Sequence, residues 1–157
     1  MPESVYIETS LVGYLAIRPS NNLILMANME VTQRWWQTRR RLFDLYISQV
    51  VLDEAAEGDA EMSAKRIEYI QDIPVLELNE AVRDLGTQFI RDSNLPLKAA
   101  DDAIHIATAT VHGLDYLLTW NCKHIANAQI QRKLEAISSR NGYTLPKICT
   151  PYELMGA

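Results

Sequence analysis

The sequence predicts an α/β fold, a three-layer α/β/α sandwich around a mainly parallel central sheet. Short β-type runs alternate with helix-period segments from one end of the chain to the other, joined by short loops. The run at 114–119 is a nearly continuous apolar strand, the type that a parallel sheet covers on both faces. The composition supports a packed core: 48% of the 157 residues are hydrophobic and 22% charged. These observations lead to the expectation of a single domain spanning 1–157.

The elements follow in order. Residues 4–7 form the first strand, which ends on Glu8, Thr9 and Ser10. A helix follows, with Thr9 or Ser10 as its N-cap and Leu11, Val12, Tyr14 and Leu15 inward. Residues 21–43 read as a long helical stretch broken once. Arg34, Arg39, Arg40 and Arg41 make its later part the most basic segment. A solvated helix face is the ordinary reading of such a run; beside Trp35 and Trp36 the functional one is a grip on RNA or an acidic peptide.

Residues 45–48 form the second strand, and Ser48 is placed to cap the helix carrying Asp53 and Glu54. The break at 57–60 separates this helix from another at 64–71. A third strand at 74–78 leads to a helix capped by Asn79 and running to about Asp92. After a loop at 93–96 comes a helix over 99–113, stopped at Gly113. The fourth strand at 114–119, a last helix at 126–138 and a closing strand around 147–149 complete the chain.

Several function classes fall away. No basic segment precedes an apolar run at the start, so a signal peptide is not expected. No apolar run approaches the roughly 20 residues of a membrane span. Cys122 and Cys149 are too few and too far apart for a disulfide framework or a zinc pattern, which points to a reducing, cytoplasmic setting. The net charge of −5 argues mildly against nucleic acid, less so if carboxylates bind cations.

The 99–113 helix carries the clearest chemical signal. At ~100° per residue, Asp101, His105, Thr108 and His112 share a narrow polar stripe, and nearly everything else is Ala, Ile or Val. Asp102 lies in the apolar arc beside Ile106 and Ala109. A carboxylate pointed into packing is costly unless it is paired, hydrogen-bonded or bound to a metal. Asp101 has an ordinary solvated reading; Asp102 does not.

Glu8 sits at the carboxyl end of the first strand, where open α/β sheets bind ligands, though a helix-start acid favoured by the dipole explains it as well. Glu54 follows the second strand by about two helical turns, and Asn121 follows the fourth. In a parallel sheet these positions converge on one edge. A cluster of oxygen ligands suits Mg²⁺ or Mn²⁺, which activate water and neutralise charge on a phosphodiester. The ordinary alternative is scattered surface acids.

His105 and His112 are expected in surface or capping roles. His124 is read as structural, with phosphate or metal contact as its functional alternative. Thr9, Ser10 and Thr119 are hydroxyl partners for the ion's waters, with capping an equal reading of the first two. Trp120 is expected to pack rather than stack on a base, and Cys122 to be a buried small apolar residue.

Four segments in order resemble the PIN domain family: Tyr6-Ile7-Glu8-Thr9-Ser10, then Ser48 with Val51-Leu52-Asp53-Glu54, then Asp102 to Ala109, then Asp115 to Asn121. The likeness is greatest to the VapC-type toxins of bacterial toxin–antitoxin pairs and covers nearly the whole chain. It implies a Mg²⁺- or Mn²⁺-dependent endoribonuclease that leaves 5′-phosphate and 3′-hydroxyl ends. By position the resemblance places the family's acids on Glu8, Glu54, Asp102 and Asn121 as catalytic residues. Glu8, Asp102 and Asn121 would hold metal, and Glu54 would orient water or a second ion. Thr9, Ser10, Thr119 and His124 would support them. It further implies RNA as substrate, a small cognate antitoxin, a homodimer and a cytoplasmic protein.

Two positions depart from the family's commonest pattern. Glu8 reaches one methylene further than Asp, and Asn121 lacks the charge of the usual acid. Both lead to the expectation of weak or single-ion occupancy. They also keep open a second class of function, a PIN-fold module that binds RNA or a partner without cutting.

Overall fold

A computed structural model describes residues 1–156. β1 (Glu3–Ile7) lies at the centre of a five-stranded sheet, with Val5, Tyr6 and Ile7 wholly buried. β2 (Phe43–Ser48) and β4 (Tyr116–Leu118) flank it, while β3 (Val75–Leu76) and β5 (Lys147–Cys149) are the edges, in the order β3-β2-β1-β4-β5. Every pairing is parallel, so the sheet is wholly rather than mainly so. Such a sheet needs crossover helices on both faces.

One face takes α1 (Thr9–Ala16), α2 (Leu23–Thr38), α3 (Gln49–Ala55) and α4 (Ala60–Ile70), where α1 packs on the other three. The opposite face takes α5 (Glu80–Asp92), α6 (Ala100–Val111) and α7 (Ala128–Arg140), with α5 against both others. This division follows from right-handed crossovers: the chain steps outward through β2 and β3, then returns to the other side of β1. The strand order therefore reverses between β1 and β4, the crevice where ligands bind in such sheets.

Several elements differ from the sequence expectation for local reasons. The helical stretch ends at Thr38 and a 3₁₀ turn (Arg40–Leu42) leads into β2. That strand starts at Phe43 because it pairs with β1 from Glu3↔Phe43 onward. α4 starts at Ala60, capped by the Asp59 carboxylate on the Met62 amide. β3 shrinks to two residues because only Ile47↔Val75 and Ser48↔Leu76 pair. α7 begins at Ala128, two residues late, where the Asn127 side chain caps it. A final 3₁₀ turn (Pro151–Leu154) with a Thr150/Glu153 capping box was not expected.

Gly86 brings α5 and α6 together, since a Cβ there would sit 3.0 Å from Ile104 Cδ1. Gly113, at φ +69°, ends the α6 segment as its left-handed cap.

Candidate metal centre

The centre is built from the carboxyl end of β1 upward. Glu8 ends β1 in extended conformation and itself caps α1, its carboxylate accepting the Ser10 amide at 3.2 Å. Neither Thr9 nor Ser10 is the cap, as had been expected. Their hydroxyls serve the carboxylates instead. Ser10 donates to Glu8 Oε1, and Thr9 donates to Glu54 Oε1 at 2.6 Å. Thr119, at the end of β4, donates to Glu8 Oε1 at 2.5 Å. Glu8 is only 4% exposed, so these donors take the place of its hydration.

His105 is the main correction. It is neither on the surface nor a cap but wholly buried, in the middle of the α6 stripe that faces the sheet. Its Nε2 lies 2.6 Å from Glu54 Oε1 and its Nδ1 lies 2.6 Å from the Tyr6 hydroxyl. Tyr6 in turn meets the Ser48 hydroxyl at 2.8 Å. Ser48 stands at the α3 N-cap position yet makes no capping bond, because its hydroxyl is engaged with Tyr6.

One ligand atom from each of Glu8, Glu54 and His105 lies within 4.8 Å of the others. Neighbouring ligands of one small cation at about 2.1 Å stand about 3.0 Å apart and opposite ones about 4.2 Å, so the group would draw in around an ion. Oxygen and imidazole donors fit a divalent ion.

The electrostatics are those of a site waiting for positive charge. Burial pushes the His105 imidazole down, but its bond to Glu54 and the charges of Glu8, Glu54 and Asp102 outweigh this and hold it above its ordinary value. Burial pushes Glu54 up, and the bond and charge of His105 together with the Thr9 hydroxyl bring it below its ordinary value. Burial, reinforced by the charges of Glu8 and Glu54, keeps the Tyr6 phenol protonated in spite of its bond to Ser48.

Asp102 and Asn121 are placed beside this group, not in it. Asp102 is half-buried at the start of α6, and its Oδ2 lies 3.0 Å from His124 Nδ1. Asn121 accepts the His124 amide on its Oδ1 at 3.0 Å, and its own amide donates to Thr119 Oγ1 at 2.9 Å. His124 thus joins two expected metal ligands through its backbone and its ring. Asp101 is exposed. His112 ends α6 and meets the Glu77 carbonyl at 2.8 Å.

Trp120 packs between the Tyr14 and Tyr152 rings and donates from Nε1 to Thr32 Oγ1 at 2.8 Å. Cys122 is exposed, not buried, because it lies in the tight turn closed by its amide on the Trp120 carbonyl. In the basic segment, Arg40 lies over the Trp36 ring at 4.7 Å and Arg34 pairs with Glu30 at 3.0 Å.

No protein-family model matches the chain, and no curated protein is similar to it in sequence. A solved structure is similar in fold: a chain of VapBC2 from Rickettsia felis, crystallised bound to a DNA fragment from the promoter of the pair. The TM-score is 0.52 over 94% of this chain and 98% of that chain, at 11% sequence identity. The likeness is one of fold. It agrees with the PIN-like architecture that the motif resemblance implies. Among the described residues no helix is long and apolar enough to cross a membrane.

Proposed function

We propose that the protein is a divalent-metal-dependent endoribonuclease of PIN type and the toxin of a toxin–antitoxin pair. The observation that carries this reading is the meeting of Glu8, Glu54 and His105, two of them buried, at the switch-point edge of a parallel sheet. A Mg²⁺ or Mn²⁺ ion held there supplies water activation and charge neutralisation for phosphodiester hydrolysis.

The chain's own groups divide the work. Glu8 would hold the ion, its Oε1 steadied by Ser10 and Thr119. The Thr9 hydroxyl and the His105 ring both meet Glu54 at Oε1, leaving Oε2 for the attacking water. Asp102 keeps Oδ1 for the ion while Oδ2 stays with His124, and the Asn121 carbonyl has a second lone pair beyond the His124 amide. His124, Thr9, Ser10 and Thr119 hold these carboxylates and the amide in place.

RNA would approach from the open edge, and a small antitoxin would cover the site. Leu23 and Ile24, at 85% and 75% exposure on the start of α2, support contact with a protein partner or a second copy. A cytoplasmic setting belongs to the same reading.

A second reading has its own observation. Asp102 and Asn121 are already occupied by His124, as in a PIN-fold binding module whose acids no longer cut. Cleavage of a mixed RNA pool with Mg²⁺, Mn²⁺ or EDTA, beside Asp102→Ala, separates the two. Metal-dependent cleavage that is lost in Asp102→Ala is the expected result. A folded, partner-free protein that cuts with neither ion would overturn the nuclease and leave the binding module.

A further inference from the structure

The motif resemblance assigns no role to His105, and its burial among carboxylates calls for one. We propose that His105 is a nitrogen ligand of the cation through Nε2, and that it makes the site select a first-row transition ion over Mg²⁺. This rests on the reading of the carboxylate cluster as a metal site.

The geometry gives three reasons. A ring nitrogen of His105 is one of three ligand atoms within 4.8 Å of one another, Nε2 is the nitrogen that faces Glu54, and the ring is fully buried. The Nε2–Oε1 separation of 2.6 Å means that a positive centre lies between two lone pairs, a proton when no ion is bound. Two neighbouring ligands of one ion at about 2.1 Å stand about 3.0 Å apart, so replacing that proton, which leaves to solvent, needs only a small opening.

The far side of the ring is equally prepared. A metal-ligating imidazole donates its other N–H to a fixed acceptor, which sets the tautomer. Nδ1 faces the Tyr6 oxygen at 2.6 Å, and Tyr6 can pass its own proton to Ser48 Oγ at 2.8 Å. The chain His105–Tyr6–Ser48 therefore lets Nδ1 donate and presents the Nε2 lone pair to the carboxylates.

An imidazole among carboxylates changes which ion is held. Mg²⁺ takes oxygen ligands at near-octahedral angles, whereas imidazole suits Mn²⁺ modestly and Co²⁺ or Zn²⁺ strongly. An all-carboxylate cluster follows the same order less steeply, so the fall in Co²⁺ affinity when the imidazole is removed is what separates the two.

The test titrates metal-free protein with Co²⁺, Mn²⁺ and Mg²⁺ by calorimetry. It also records the pulsed electron-spin-echo spectrum of the Mn²⁺-loaded protein, for wild type, His105→Gln and His124→Gln. Expected are imidazole-nitrogen modulation in wild type and His124→Gln, and Co²⁺ binding at least about tenfold tighter than Mg²⁺. In His105→Gln the modulation disappears and Co²⁺ affinity falls by about 100-fold, the upper end of what even outer partners of a metal site carry. Should His105→Gln not fold, the spectra of wild type and His124→Gln decide alone. Bound Mn²⁺ without nitrogen modulation, or with modulation lost only in His124→Gln, overturns the inference and leaves the metal site standing. Failure of all three ions to bind overturns both.

Discussion

Two histidine-centred groups share the carboxyl edge of the sheet, and they are built in opposite ways. Around His105, Glu8 comes from the junction of β1 and α1 and Glu54 from the last turn of α3, and three hydroxyls close on their oxygens. Around His124, Asp102 and Asn121 are joined through one loop, and the His124 ring keeps 17% exposure where the His105 ring has none, Glu54 and Asp102 both being partly exposed at 26% and 18%. The first group is anchored by the buried His105 and Glu8; the second hangs on the turn that follows β4. A buried carboxylate such as Glu8 must be matched by protein donors, while Glu54 and Asp102, each partly exposed, can rely on water for what the protein leaves open. The His105 group is therefore the one whose geometry is set before any ligand arrives.

The sharpest way to break this contrast is Glu8→Ala. It removes a proposed ligand, the α1 cap and the acceptor of two hydroxyls at once. RNA cleavage should fall by about 100-fold or more. Stability in denaturant should fall by about 2 kcal/mol from the lost cap and the stranded buried donors. A variant as stable as wild type would mean that the group is not preorganised by those bonds.

Next in size is Asn121→Asp. The new carboxylate can keep the His124 amide bond and adds a charge at the end of β4. Mn²⁺ should bind about tenfold tighter, since ligand charge sets the affinity of such sites. Unchanged binding in calorimetry would place Asn121 outside the ion's reach and make the His124 group purely structural.

The unequal legibility of the two groups has a physical cause. Strand and helix alternation, the apolar run at β4 and the Asn79 cap were readable because periodicity and capping are local. Glu8, Glu54, Asp102 and Asn121 stood out as oxygen donors at strand ends or a buried helix start. His105 did not, because a helix wheel cannot say which neighbour a stripe faces. Asp101 and His112, nearer the ends of the helix, made that stripe look solvated. The usable signal was Thr108 one turn further on, with Ala and Ile on both sides: a polar stripe so walled by small apolar residues is a buried one that needs partners. Tyr6, within an otherwise apolar strand, was such a partner. The ends of β2, β3 and α7 were misplaced because pairing with a neighbouring strand and the Asn127 cap, not local propensity, set them.

A smaller effect is the pH response of the His105 group in metal-free protein. Glu54 is lowered on folding, so its contribution to stability is present above its ordinary value of 4.5 and fades as pH falls through the folded value. His105 is raised, so its contribution is full below its ordinary value of 6.5 and fades as pH rises through the folded value. Between 4.5 and 6.5 both act. The urea midpoint of wild type measured against His105→Gln should show its greatest advantage there and lose it toward alkaline pH. A difference that grows with alkalinity would show that the imidazole is held neutral.

The smallest effect is expected at Asp102, and it tests the contrast from the other side. Asp102→Asn keeps size and an oxygen for His124 but removes the charge. The pair lies 3.0 Å apart with its side chains 17% and 18% exposed, so losing one charge weakens it, but the Asn oxygen keeps the bond to His124 and water reaches the rest. The expected change in unfolding free energy is therefore below about 1 kcal/mol, while RNA cleavage still falls strongly if the residue reaches the ion. A loss of stability as large as that of Glu8→Ala would erase the distinction between an anchored group and one that hangs on a turn. Small structural cost joined to large functional cost is the pattern of a carboxylate kept for what it binds rather than for what it packs against.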